Sequence, residues 1–175
     1  MVARPPDGPL ARYFYDCEFI EDGRTIELVS IGVVCEDGRE FYAVSAGFDP
    51  ARAGAWVAAH VLPKLPPPSD PAWRSRTRIR DDLADFLLAP RLPVQLWAWC
   101  AAYDHVALAQ LWGDMPALPR AIPRFTYEIR QHWEAAGCPP VPSPGADRHD
   151  ALADARIGLA RWRASERALR SRRVR

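Results

Sequence analysis

From Arg12 to Phe19 aromatic and polar residues alternate, the period-two pattern of a strand. A Glu21-Asp22-Gly23-Arg24 turn follows. Ile26 to Cys35 is apolar and rich in branched side chains, which predicts a second strand. Glu36-Asp37-Gly38-Arg39 carries Asp-Gly, a pair suited to a tight reversal. Glu40 to Ser45 predicts a third strand, so the opening unit is an antiparallel meander.

After Pro50 the apolar period lengthens. Ala51 to Leu62 is Ala-rich with helical spacing. Pro63 to Pro71 holds five prolines in nine residues, which bars a regular helix or an interior strand. Thr77 to Leu88 predicts an amphipathic helix, with Ile79, Leu83, Phe86 and Leu87 on one face and Ser75 or Thr77 placed to cap it. Val94 to Cys100 is almost unbroken apolar sequence, as in a buried central strand. Tyr103 to Trp112 predicts a helix, Pro119 to Phe125 a short edge strand, and Tyr127 to Ala136 a helix ended by Gly137. His149 to about Arg170 predicts the last helix. A meander followed by strand–helix alternation predicts an α/β domain. Its sheet is mixed and five-stranded, the first three strands antiparallel, with flanking helices.

Composition narrows the class. The 175 residues suit one domain, expected over 12–170 between a Pro-rich lead-in at 1–11 and a basic tail at 171–175. Apolar residues make up 49% and charged residues 26%, enough for a folded core. The net charge of +1 says nothing of a polyanionic partner, but seven of the last fifteen residues are Arg. No apolar run approaches the roughly 18 residues of a membrane span. Met1 to Pro9 lacks the apolar segment of a signal peptide. Cys17, Cys35, Cys100 and Cys138 lie far apart with no CxxC, which argues for reduced thiols and a cytoplasmic setting rather than a zinc or disulfide framework.

The candidate chemistry lies in the acids. Asp16 and Glu18 share one strand face, with Tyr15, Cys17 and Phe19 on the other. Paired carboxylates repel unless a cation lies between them, although a bare DxE reads equally as a solvated face. Asp104 follows the buried strand, a position used both by functional carboxylates and by helix caps. His149 and Asp154 open the last helix. Asp150 reads as its cap, and Asp154 as a solvated first-turn acid or as a partner of Arg161 or Arg148. Acids at 150 and 154 weaken a helix unless something positive binds nearby.

As a set these residues resemble a known signature. DxE on the first strand (Asp16, Glu18), Asp104 after the central strand and HxxxxD at the last helix (His149, Asp154) are similar to the four-acid 3′–5′ exonuclease superfamily. This is the DnaQ-like or DEDD group, whose fold is ribonuclease-H-like. Position 150 is Asp rather than Tyr, which places the resemblance with the histidine branch, DEDDh. The stretches 13–23 and 102–108 resemble the actinobacterial polyadenylate-specific 3′-exoribonucleases (ribonuclease AS), and the likeness runs from Arg12 to about Trp162. Cys17 departs from that pattern, which usually has Thr; its side chain is expected to face away from the acids.

The resemblance implies hydrolysis of the terminal phosphodiester of single-stranded RNA at adenylate-rich 3′ ends, releasing nucleoside 5′-monophosphates. It implies two Mg²⁺ ions (Mn²⁺ substituting) held by Asp16, Glu18, Asp104 and Asp154, with His149 as general base. Asp16 would bridge the ions, Glu18 and Asp154 would hold the one beside the attacking water, and Asp104 would act partly through water. A 3′ end must be gripped by stacking and a wedge. Phe19, Ile20, Glu21, Tyr103 and His105 are the candidates. Ile20 is preferred as the wedge because Phe19 falls opposite Glu18, and Tyr103 reads equally as core. The loop holding Pro142, Pro144 and Gly145 is expected to be mobile. The tail arginines read as phosphate binders or as cations suited to a helix C-terminus. Trp56, Trp73, Trp112 and Trp133 exceed what a small core needs and hint at an interface; the resemblance implies a homodimer. The alternatives are an oligoribonuclease-like or single-stranded DNA exonuclease with the same site, or a non-catalytic RNA-binding protein on the same fold.

Overall fold

The computed structural model describes residues 8–141 and 148–173. Strands β1 (Ala11–Glu21), β2 (Ile26–Cys35) and β3 (Glu40–Ser45) form the antiparallel meander. β4 (Trp73–Arg74) lies parallel to β3, β5 (Val94–Ala98) parallel to β1, and β6 (Tyr127–Glu128) parallel to β5. The sheet order is β4-β3-β2-β1-β5-β6. Five helices pack on it: α1 (Ala55–His60), α2 (Arg76–Leu88), α3 (Ala101–Ala109), α4 (Ile129–Ala135) and α5 (Ala151–Arg173). The fold is mixed α/β and ribonuclease-H-like, with six strands rather than the expected five. No helix among the described residues is long and apolar enough to cross a membrane. The expected mobile loop at 142–147 and the last residues of the basic tail lie outside the described residues.

The extra strand comes from two places. The edge strand expected over Pro119 to Phe125 is replaced by a turn, in which the Ile122 N–H donates to the Pro119 carbonyl at 2.9 Å. Pro119 and Pro123 also lack the N–H groups a ladder needs. The edge is supplied instead by β6, whose two residues the helical pattern had absorbed, and by β4 on the far side. The Ala-rich segment after Pro50 is likewise not one helix. It breaks into a 3-10 turn (Pro50–Arg52), α1 and a second 3-10 turn (Leu62–Lys64). Gly54 holds extended backbone before α1 (φ −62°, ψ 159°), and Pro63 follows it.

β1 divides its side chains between two cores, as period two requires. Tyr13, Tyr15 and Cys17 join Ile79, Leu83 and Leu87 of α2 and Leu108 of α3. The Tyr13 hydroxyl donates to the Leu87 carbonyl at 2.9 Å, so this buried phenol keeps a partner. Phe14 points the other way, toward Trp97 and the α5 residues Ala155, Leu159 and Trp162. Asp16 and Glu18 are in phase with Phe14 and therefore lie on the α5 side. A third cluster, with Ile20, Val29, Val44, Phe48 and Val61, fills the same side nearer α1.

α5 approaches the sheet closely at Gly32. That residue pairs with Asp16 on β1 and with Tyr42 on β3. A Cβ there would overlap the backbone of Ala151 and Leu152, the first turn of α5. Glycine is therefore required by a helix that rests directly on the strand beside Asp16. Gly32→Ala should cost about 3 kcal/mol, the upper end of overpacking penalties, because backbone rather than a mobile side chain must yield. Thermal denaturation should show a Tm lower by roughly 6–12 °C. A drop of under about 2 °C would show that the helix start moves freely.

Candidate active site

β5 pairs with β1 only as far as Trp97 opposite Phe14. β1 runs on to Glu21 while β5 ends at Ala98, so the two parallel strands part and a crevice opens at their carboxyl ends. The Cys17 N–H donates instead to Asp104 Oδ1 at 2.8 Å. Asp104 reaches it because β5 ends in a left-handed turn at Cys100 (φ +64°), from which α3 starts at once. Glu128 fixes that turn, accepting from the N–H groups of Cys100 (3.2 Å) and Ala101 (2.8 Å). It also accepts from Arg130 at the start of α4, at 2.9 Å. Cys17 itself lies in the α2–α3 core, on the face away from the acids.

The start of α5 supplies the second half of the site. Asp150 accepts from the Ala153 N–H at 2.8 Å and caps the helix. His149, just before it, lies in the left-handed region (φ +67°), a strained conformation for a residue with a Cβ. Its N–H donates to Asp154 Oδ2 at 2.7 Å, which ties the turn to the acid. Because α5 rests on Gly32, this end reaches Glu18. One ligand atom from each of Glu18, His149 and Asp154 lies within 4.8 Å of the others. Asp16 and Asp104 line the same cavity, of about 540 Å³, a size suited to a small ligand.

The electrostatics follow from burial and crowding. Burial pushes the Glu18 carboxyl up to about 7, and Asp154 and Asp150 add to the rise. Burial pushes Asp104 up to about 8 against the opposing hydrogen bond from Cys17. Asp16 is held well above the usual carboxylate range by burial first, then by Asp104, Glu18 and Asp154. His149 is lowered, chiefly by burial. Hard oxygen donors crowded until their charges are unfavourable, with one imidazole beside them, suit a divalent cation such as Mg²⁺ or Mn²⁺.

The nucleotide-gripping candidates separate. Phe19 and Tyr103 line the cavity with rings 5.8 Å apart and 6° from parallel, and Tyr103 is half exposed rather than core. Glu21 also lines it. Ile20 does not: it is 2% exposed within the cluster beside α1. His105 is also not a lining residue; its Nδ1 bonds to Thr126 Oγ1 at 3.0 Å, and that hydroxyl bonds to Tyr15 at 2.7 Å.

Trp56, Trp99, Arg148 and Arg161 also line the cavity, although the sequence placed Arg148 and Arg161 only as partners of Asp154 and Trp56 only at an interface. Trp56 stacks on His60 (4.9 Å) and meets His149 edge-on (4.7 Å). Its place two residues past Gly54 gave no signal, whereas Arg161 is seven residues beyond Asp154 and thus on the same helical face. The other tryptophans counted toward an interface have internal roles. Trp73 stacks on Phe48, Trp112 packs on the α2–α3 core, and Trp133 donates to the Pro139 carbonyl.

A carboxyl whose pKa is higher folded than unfolded binds extra protons in the folded state, so ionising it costs stability. For Glu18 the window runs from 4.5 to about 7, and for Asp104 from 3.8 to about 8. The cation-free protein should therefore lose Tm between about pH 6 and about pH 8. Saturating Mg²⁺ or Mn²⁺ should raise Tm more at the higher pH. Differential scanning calorimetry checks both, and a Tm flat with pH and blind to cations would contradict this charge arrangement.

Comparison with known proteins gives a consistent result. The family described as 3'-5' exoribonuclease Rv2179c-like domain matches residues 11–165. The 3'-5' exoribonucleases Rv2179c and MT2234.1, from Mycobacterium tuberculosis strains H37Rv and CDC 1551, are each 65% identical to the chain over 153 residues. Those alignments cover 87% of this chain and 91% of each relative. The span includes β1, the turn into α3 and the start of α5, and the chain belongs to the Rv2179c-like 3'-5' exoribonuclease domain family.

Proposed function

We propose that this protein hydrolyses the terminal phosphodiester of single-stranded RNA from the 3′ end, favouring adenylate-rich ends and releasing nucleoside 5′-monophosphates. The observation that carries this reading is the meeting of Glu18, His149 and Asp154 within 4.8 Å, in a cavity that Asp16 and Asp104 also line. Three segments distant in sequence supply the five residues of the DEDDh signature. The relatives' names supply direction and polymer.

Asp16, Glu18, Asp104 and Asp154 would hold two divalent cations. When bound, such ions neutralise the phosphate and favour both attack by water and departure of the 3′ oxygen. Glu18 and Asp154 would serve the ion beside the attacking water. Asp154 Oδ2 is occupied by the His149 N–H, which leaves Oδ1 for this work. Asp104 Oδ1 is likewise taken by Cys17, consistent with a share partly through water. His149 would accept the proton of the attacking water, a task suited to a group that titrates near neutrality. Its backbone tie to Asp154 and the edge of Trp56 hold the imidazole in place. Phe19 and Tyr103 would flank the terminal base. Aromatic faces stack on any base, so the adenylate preference rests on the family resemblance alone. The same resemblance supports a homodimer, and four unpaired cysteines suit a cytoplasmic setting.

The test is product analysis on 5′-labelled poly(A), mixed RNA and single-stranded DNA with Mg²⁺, Mn²⁺ or chelator. A ladder shortening from the 3′ end, fastest on poly(A), with AMP released and activity lost in chelator, is expected. His149→Ala should lower kcat by about 10²–10⁴ and leave calorimetric Mn²⁺ affinity near parental. Asp16→Ala and Asp154→Ala should lose both. Metal-independent cleavage, or parental turnover in His149→Ala, would overturn the mechanism.

A further inference from the structure

Arg161 stands apart from the other α5 arginines. Arg156 pairs with Glu40, Arg170 with Glu166, and Arg163 donates to the Glu36 carbonyl. Arg161 instead lines the cavity, half-buried, its guanidinium carbon 4.0 Å from the centroid of the Trp99 ring. Among the described residues it has no carboxylate within ion-pair distance. Arg148, an exposed second cation, lines the same cavity, and the charge of Arg161 is affected first by burial, then by Asp154, and only then by Arg148. A half-buried guanidinium with no ion-pair partner of its own is poorly solvated, and an anion entering the cavity would satisfy it.

The geometry suits a phosphodiester. Stacking uses the face of a guanidinium and leaves its in-plane N–H groups free to fork onto phosphate oxygens. Trp99 is itself held, packing 6.0 Å from Trp133, whose indole N–H donates to the Pro139 carbonyl at 2.8 Å. Arg161 lies two helical turns, about 10 Å, along α5 from Asp154. It is therefore beside the acid cluster rather than within it. Trp99 also belongs to the α4–α5 side of the sheet, whereas Phe19 packs on the α2–α3 side. The terminal base and the strand leading to it thus have separate flanks.

We propose that Arg161, held flat on Trp99 and assisted by Arg148, binds the phosphate one linkage upstream of the bond being cut. This rests on the exoribonuclease reading and adds the path of the RNA strand. The site would make the enzyme sensitive to substrate length, because a dinucleotide has no upstream phosphate.

Kinetics on the diadenylate ApA and the triadenylate ApApA test it, using the full chain with Mg²⁺. Arg161→Gln should lose about tenfold more kcat/KM on ApApA than on ApA, mostly through KM. Arg161→Lys, which keeps charge without the planar fork, should fall between Gln and the parent. A neutral methylphosphonate at the upstream linkage of ApApA should cost the parent the same factor and cost Arg161→Gln nothing more. Equal losses on the two substrates, no loss on either, or additive effects of variant and methylphosphonate would each overturn the assignment. A parent inert on 5′-labelled poly(A) as well as on both short substrates is a different result and would overturn the exoribonuclease reading, whereas one active on poly(A) alone would overturn only the one-linkage assignment.

Discussion

Carboxylates buried against one another repel, and the arrangement of this fold keeps them together. Asp16, Glu18 and Asp104 are each driven toward the neutral form by burial and by neighbouring acids. Left to local preference, these side chains would turn to water and spread apart. They stay together because the backbone around each is fixed by something other than the acids. Asp16 and Glu18 are set by the phase of a strand whose alternate residues fill the α2–α3 core. Asp104 is set by the Cys100 turn and the Glu128 carboxylate that binds it. Asp154 is set by a helix pressed onto Gly32. Packing energy spread over the domain thus holds a local charge cluster that a cation relieves.

Of the four non-glycine residues with positive φ among the described residues, Arg91 and Cys138 lie away from the site and two lie at it. Cys100 and His149 both take positive φ with a Cβ present. Each begins the approach to a helix that carries a site acid, and each gives its N–H to a carboxylate. Strain of this kind persists only where the surroundings over-determine it. Here a clamping acid on a neighbouring strand does so for one turn, and the first turn of α5 does so for the other. The strain therefore lies on the function link of the chain of causes, while its support lies in packing.

Much of this was legible in the sequence, for identifiable reasons. The meander, α2 and the long last helix carry strong periodicities, and their cores match the predicted faces. Period two put Asp16 and Glu18 on one strand face and the helix start put His149 near Asp154, while the five residues were assembled as a set only by their resemblance to a known signature. Two-residue strands carry no period, so β4 and β6 were invisible, and Pro119 to Phe125 was apolar enough to imitate the missing edge. Alternation placed Ile20 on the Glu18 face, correctly, but could not show that the residues around α1 would cover it. Phe19, on the opposite face, reaches the cavity because β5 has already ended and α3 brings Tyr103 against it. Trp56 and Arg161 depend on contacts between elements far apart in sequence, which a single chain read in order does not reveal.

A net charge of +1 says nothing of a polyanionic partner, and the number conceals a division of labour. Of the basic residues near the C-terminus, several are spent on the fold: Arg163 on a β2–β3 turn carbonyl and Arg172 on the end of α4. The acids are concentrated in the cavity, and if the phosphate comes there as proposed, divalent cations would have to reverse the local sign. On the proposed reading, what remains for direct recognition of RNA is Arg161 and Arg148 on the wall of the acid-lined cavity. A stacked guanidinium serves there better than a cluster of lysines, because its plane is fixed before the substrate arrives and little freedom is lost on binding. Affinity would then come mainly from the reacting centre, and the length of strand engaged from its neighbour on α5.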